Sequence, residues 1–184
     1  MKVGYPEIGV CGLSCRLCPA YHRETASKCE GCKSESRMIV GCTFINCAVK
    51  KKGIEFCWLC RENETCEKWG KHRELGKLHD SFVCYQKLED NISFIQEHGI
   101  AEFEKQQKSR ERLLGEMLKE FNEGRSKTYY CIAATVLEIG DLEKSLAEAR
   151  KQASGLEPKE KARILHAILD RVADGKKCYL RLRK

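Results

Sequence analysis

Ten of the thirteen cysteines in this 184-residue chain lie between Cys11 and Cys66, and this concentration constrains the fold more than any other feature. Only Cys84, Cys131 and Cys178 follow. In a reducing compartment such thiols are expected to bind metal, take part in catalysis or pack in the core rather than form disulfides. We therefore predict a cysteine-rich module over residues 1–88 and a second domain over residues 89–184.

The N-terminal residues favour a reducing compartment. MKVGYPEIGVCGL contains one lysine and lacks the apolar run of roughly 7 to 15 residues found in a secretory signal. No stretch approaches the roughly 18 apolar residues that cross a membrane. We therefore expect a cytoplasmic protein without a membrane partner.

Three C-x-x-C pairs are the strongest local signal. They are Cys15 with Cys18, Cys29 with Cys32, and Cys57 with Cys60. Tetrahedral zinc binds sulfur at about 2.3 Å, and a tight turn with two intervening residues gives the separation of about 3.8 Å that two ligand sulfurs need. Each pair therefore predicts half of a zinc site, and Gly31 permits the turn of the second pair.

Four further cysteines of the module can complete the sites: Cys11, Cys42, Cys47 and Cys66. These ten candidate ligands exceed the eight of two four-cysteine sites and fall short of the twelve of three, so we expect two zinc ions and leave a third open. Additional ligands for a third site would come from His22, His72, His79 or Cys84. An iron–sulfur cluster is the alternative cofactor.

The spacing C-x-x-x-C-x-x-C at Cys11, Cys15 and Cys18 is also that of radical SAM enzymes. Those enzymes need a long alternating βα barrel, whereas this sequence predicts a compact cysteine-rich module followed by helices. The alternative cofactor is therefore a simple iron–sulfur cluster without radical SAM chemistry.

The module has few apolar residues for an independent core, so metal binding is expected to stabilise it. Short helices are predicted over about 43–52 and 64–80, the latter capped by Asn63 so that Cys66 lies in its first turn.

The second domain has helical periodicity. Residues 113–121 place leucines, a methionine and a phenylalanine on one face, and Gly124 is the predicted C-terminal cap. The next helix covers 126–139 and ends at Gly140, Asp141 caps a third, and Pro158 begins a fourth that runs to about Ala173.

The final residues alternate in the manner of a short strand, with Ile8 and Val10 as candidate pairing partners. The expected fold is therefore mainly α: a small cysteine-rich, metal-stabilised N-terminal module packed on a C-terminal helical bundle.

The formal charge of +7 is weak support for a nucleic-acid partner. If ten thiolates and two or three zinc ions are counted, the net charge falls to about +1 to +3. The basic group Lys50, Lys51, Lys52 and Arg61 around Trp58 could contact phosphates and stack a base. A solvated helix end beside a buried tryptophan is the simpler interpretation of this group.

The ordered run CGLSCRLCPAY at 11–21, CEGC at 29–32, Cys42, Cys47, KGIE at 52–55 and C-x-x-C at 57–60 resembles a cysteine-rich archaeal and bacterial family, domain of unknown function 3795. GRSKTYYC at 124–131 is also similar to a segment of longer members. The resemblance implies metal binding and a prokaryotic origin without assigning an activity. Members often end the module with F-P-C, whereas this chain has Glu64, Thr65 and Cys66 there.

No triad, phosphate-binding glycine loop or H-E-x-x-H helix indicates a reaction, so whether the protein is an enzyme stays open. We expect a zinc-stabilised module that contacts an unidentified protein or, with weaker support, a nucleic acid. The alternative is a redox or catalytic iron–sulfur metalloprotein in which Cys11, Cys15 and Cys18 form the reactive cluster.

Overall fold

A computed structural model describes residues 3–81 and 83–184. Within them the chain is mainly helical, and its β-structure is an isolated bridge between Ile8 and Ser14, which confirms the predicted fold class. The α-helices are α1 (Glu35–Val40), α2 (Glu67–Leu78), α3 (Leu88–His98), α4 (Ile100–Phe121), α5 (Lys127–Val136), α6 (Ile139–Gln152) and α7 (Pro158–Gly175); a π-helical segment covers Ile45–Lys51, and 3₁₀ turns cover Cys15–Leu17 and Cys57–Leu59. None of these helices is long and apolar enough to cross a membrane.

Helices α4 and α7 follow the predicted periodicity. Leu113, Leu114 and Met117 of α4 are fully buried on one face. Pro158 occupies the first turn of α7, where its missing N–H has no helical partner to lose. In both helices the apolar stripe, rather than intrinsic propensity, supplies most of the stabilisation.

The junction between α5 and α6 differs from the prediction. Helix α5 ends at Val136, and the buried Arg110 guanidinium donates to the carbonyl oxygens of Ala134 and Leu137. Because Arg110 satisfies these terminal carbonyls, no glycine is needed to end α5. Gly140 instead lies in the first turn of α6, and the cap predicted at Asp141 is wrong, since Glu138 precedes the helix.

The predicted C-terminal strand is also wrong. The residues after α7 form no β-ladder in the described structure. Arg183 instead pairs with the buried carboxylate of Asp80 at 3.0 Å, and Gln86 exchanges hydrogen bonds with the backbone of Tyr179. Leu180 is buried against the helices. Side chains thus satisfy backbone hydrogen-bonding groups of this tail. Ile8, one of its predicted pairing partners, instead bridges Ser14.

The described residues form two apolar clusters. The helical core contains the second half of α4 with α5, α6 and α7, whereas the module core contains Trp58 and Trp69 with residues of α3. Helix α4 joins them, because Phe103 lies in the module core and Leu113 in the helical core. The predicted domain division at residue 88 stays a prediction, although α3 packs on the module side of it.

Candidate metal centres

All thirteen cysteines are free thiols, and the ten of the module line two cavities. A small cavity of about 40 Å³ is lined by Cys47, Cys57, Cys60 and Cys66. A large cavity of about 900 Å³ is lined by Cys11, Cys15, Cys18, Cys29, Cys32 and Cys42. The tertiary structure therefore divides ten cysteines into groups of four and six.

Three separate segments bring the four cysteines of the small cavity together. Cys47 lies in the π-helical segment, and Cys57 and Cys60 bracket a 3₁₀ turn closed by a 3.1 Å hydrogen bond from Cys60 N–H to the Cys57 carbonyl. Cys66 immediately precedes α2. The positive end of that helix dipole favours a negative sulfur at this position.

Asn63 does not cap α2 as predicted. Its side-chain amide donates to the carbonyl oxygens of Trp58 and Cys60, at 3.1 and 3.0 Å. Cys66 itself is the residue before the first helical turn. Asn63 therefore stabilises the C-x-x-C turn instead of the helix.

Electrostatics at the small cavity favour a cation. Burial raises the pKa of Cys57 to about 12, and the neighbouring thiols Cys11, Cys47 and Cys66 add to the shift. Cys57 is buried, and a thiolate there beside other thiolates is unfavourable without a positive partner. Lys52 supplies a partner for only one of them, with its Nζ 3.2 Å from Cys60 Sγ and 2.8 Å from Glu62.

The large cavity lies between the module and the helices. Its module wall carries the six cysteines, and its opposite wall is formed by residues of α3, α4 and α5, including the buried Cys131. At Gly31, with φ of +112°, a Cβ atom would lie 3.1 Å from the carbonyl oxygen of Pro6. Glycine is thus required at the turn that places Cys29 and Cys32 against this cavity.

Two cysteines of the large cavity are directly connected. The Cys32 N–H donates to Cys15 Sγ at 3.2 Å, and the two side chains also interact with each other. This interaction and burial raise the pKa of Cys15, whereas the same interaction, helped by Arg37 and Lys33, lowers the pKa of Cys32 to about 7. Burial also raises the pKa of Cys11 to about 12.

The donor sets fit thiophilic metals, although the side chains do not converge. Four thiols around one small cavity match the composition of a structural zinc site, and six thiols along a larger wall suit zinc or an iron–sulfur cluster. Within residues 3–81 and 83–184, no three His, Cys, Asp or Glu side chains come close enough together to hold an ion. Metal binding therefore stays a prediction.

The structure also separates the additional candidate ligands. His72 and Cys84 line the large cavity, whereas His22 and His79 line neither cavity. His22 instead donates to the Arg16 carbonyl. Sequence reasoning missed the polar side chains of the helical wall, because they fall in ordinary helical patterns. They are Asn91, Gln106, Gln107, Arg110, Thr128 and Thr135.

Comparison with known proteins gives one result. Residues 7–71 match the family described as "Protein of unknown function (DUF3795)", which confirms the resemblance found in the sequence of the module. No curated protein and no solved structure matches the chain.

Proposed function

We propose that the protein, whose residues 7–71 match the DUF3795 family, is a metalloprotein with two chemically different centres in its module. The observation that carries the proposal is the division of ten cysteines between a small cavity with four and a large cavity with six. Neither the total number nor the sequence spacing of the cysteines requires this division.

At the small cavity, Cys47, Cys57, Cys60 and Cys66 would hold one zinc ion. Four thiolates saturate zinc and leave no position for water, so the role supported is structural. The apolar side chains of Phe44, Ile54 and Trp69 share the lining with Lys52, Asn63 and Lys68. A bound zinc would join the π-helical segment to the start of α2, which already share the module core through Ile45, Val49 and Trp69.

At the large cavity, the six cysteines favour a second candidate function, a redox or catalytic centre. Here the thiols line a space large enough for a small molecule. The partly buried Arg16 side chain links the segment that carries Cys15 and Cys18 to α4, where it pairs with Glu111 at 2.7 Å. Bound zinc or an iron–sulfur cluster would supply Lewis-acid or electron-transfer chemistry, and the helical wall would position what enters.

The expected compartment is a part of this proposal. Free thiols at all thirteen cysteines support a reducing environment such as the cytoplasm. The protein or nucleic-acid partner expected from the sequence stays a prediction.

The deciding experiment is elemental analysis and visible spectroscopy of the anaerobically purified full chain. We expect at least one zinc per chain, lost in Cys60→Ser but retained in the control Cys178→Ser. Iron with acid-labile sulfide, and a brown colour that persists in Cys60→Ser, would assign a cluster to the large cavity. Metal-free protein that is stable and folded would contradict the proposal.

A further inference from the structure

The large cavity has a second wall that metal binding does not use. Its volume of about 900 Å³ is at the upper end of the roughly 300–1,000 Å³ typical of small-molecule sites. Metal ions alone would occupy little of it. The helical wall contributes amide and hydroxyl groups from α4 and α5, among them Gln107 and Thr135. Such amide and hydroxyl groups are typical of sites that orient an organic ligand.

Positive charge lies on the module side of the cavity. Among the cations that line it, Lys87 pairs with Asp90 at 2.9 Å, and Arg110 serves the carbonyls at the end of α5. Arg23, Lys28 and Arg37 make no ion pair with any residue that the structure describes, and all three are exposed. Arg23 and Lys28 lie together in the loop between Cys18 and Cys29, and we therefore assign these two side chains to an anion.

The interior offers aromatic surface. Phe44, His72 and Tyr85 form a continuous group, with ring centroids 4.7 Å apart for Phe44 and His72 and 5.2 Å for His72 and Tyr85. All three line the cavity and are only partly buried, as is Phe94 on α3. Partly buried rings facing a cavity can stack on a flat heterocycle.

Buried polar atoms at the same cavity lack partners. Ser14 Oγ and His72 Nε2 are inaccessible and form no hydrogen bond with any described residue. Gln107, only 3% exposed, has a single 3.3 Å side-chain contact with Gln106. Unsatisfied buried groups are costly, and a rotation of these side chains toward a bound ligand would satisfy them.

We propose that the large cavity binds a mononucleotide, with its phosphate at Arg23 and Lys28 and its ring against the aromatic group of Phe44, His72 and Tyr85. The separation of a cationic entrance from an aromatic and amide-lined interior distinguishes this ligand from a simple anion. The inference deepens the second candidate function, because the ligand would lie beside the six cysteines. It depends on the proposed zinc site only through the folding of the module.

The test is isothermal titration of the metal-containing full chain with AMP, GMP, CMP, UMP and flavin mononucleotide. We expect at least one to bind with a dissociation constant below about 0.1 mM. Its nucleoside, which lacks the phosphate, and pyrophosphate, which lacks the ring, should each bind at least about tenfold more weakly.

Variants locate the binding. Replacing Arg23 and Lys28 together by alanine should raise the dissociation constant about tenfold, which corresponds to about 1.4 kcal/mol. Gln107→Leu should weaken binding of nucleotide and nucleoside alike. Replacing Lys159 and Arg163 together by alanine removes the same charge from two exposed positions outside both cavities and should change nothing.

Two results would overturn the inference. One is a zinc-containing, folded chain that binds none of the five nucleotides below about 1 mM. The other is binding that survives the double alanine replacement unchanged. Zinc content and unfolding temperature are measured on the same samples, so loss of zinc with retained nucleotide binding would contradict the proposed function and not this inference.

Discussion

The small and large cavities use the same kind of ligand in opposite surroundings. The small one lies within the module, where Cys47, Cys57, Cys60 and Cys66 share the lining with Phe44, Ile54 and Trp69. At the large one, six cysteines form a single wall and residues of α3, α4 and α5 form the other. The comparison teaches that a C-x-x-C pair sets the separation of two sulfurs, whereas the surrounding packing decides whether a metal is enclosed or reachable.

The largest expected effect follows from removing metal. Structural zinc contributes roughly 10–16 kcal/mol of apparent binding free energy to small domains, so a strong chelator under reducing conditions should unfold the module. Helices α4 to α7 should stay folded, because they have their own core around Leu114, Tyr130 and Leu146. Hydrogen exchange read by mass spectrometry should show lost protection in residues 7–71.

The same experiment can break the comparison. If the helices lose protection together with the module, the two cores form one cooperative unit and the predicted domain division is wrong. Circular dichroism of residues 89–184 expressed alone gives an independent check, since an unfolded fragment would have the same meaning.

A smaller effect should separate the two cavities. Cys57→Ser should remove the metal of the small cavity and destabilise the chain by at least about 3 kcal/mol, since an enclosed site loses both its ion and its packing. Cys32→Ser should remove only the metal of the large cavity, at a cost of about 1 kcal/mol. Metal content and urea unfolding of both variants measure this.

Cys178→Ser is the control for both, because Cys178 lines neither cavity. If Cys32→Ser and Cys57→Ser each lose all bound metal, the cysteines act as one interdependent centre. If Cys57→Ser instead keeps the metal of the large cavity, X-ray absorption of this variant tests whether that metal is reachable. A reachable metal should show a light exogenous ligand.

The smallest effect is expected at Cys131, which lines the large cavity from α5 but is 1% exposed. Cys131→Ala should keep all metal and cost about 1 kcal/mol through lost packing. Loss of metal in this variant would add Cys131 to the six cysteines.

Cys131 also predicts a pH dependence. Burial raises its pKa to about 12, so the folded state holds the proton more tightly than the unfolded chain does. The thiol's contribution to the free energy of unfolding is complete below the unfolded pKa of about 8.5. It is lost as pH rises toward 12. Between those values the parent protein should lose more stability than Cys131→Ala.

Several features were predictable from local chemistry. The ordered cysteines predicted the family match over residues 7–71, the stripe of Leu113, Leu114 and Met117 predicted α4, and Pro158 predicted the start of α7. These features depend on spacing along the chain, which sequence records directly. The end of α5 was mispredicted because its cap comes from Arg110, 24 residues away from Ala134.

The sequence by itself determined the candidate metal-binding sulfur atoms, the spacing of the three C-x-x-C pairs and the helical character of residues 89–184. Only the tertiary structure decided which cysteines share a cavity, since Cys47 and Cys66 join Cys57 and Cys60 whereas Cys42 faces the large cavity. The tertiary structure also places Gln107 and His72 in the lining of the cavity that contains the six cysteines. The physical reason is that a turn fixes sulfur separation locally, whereas enclosure depends on how distant segments pack around it.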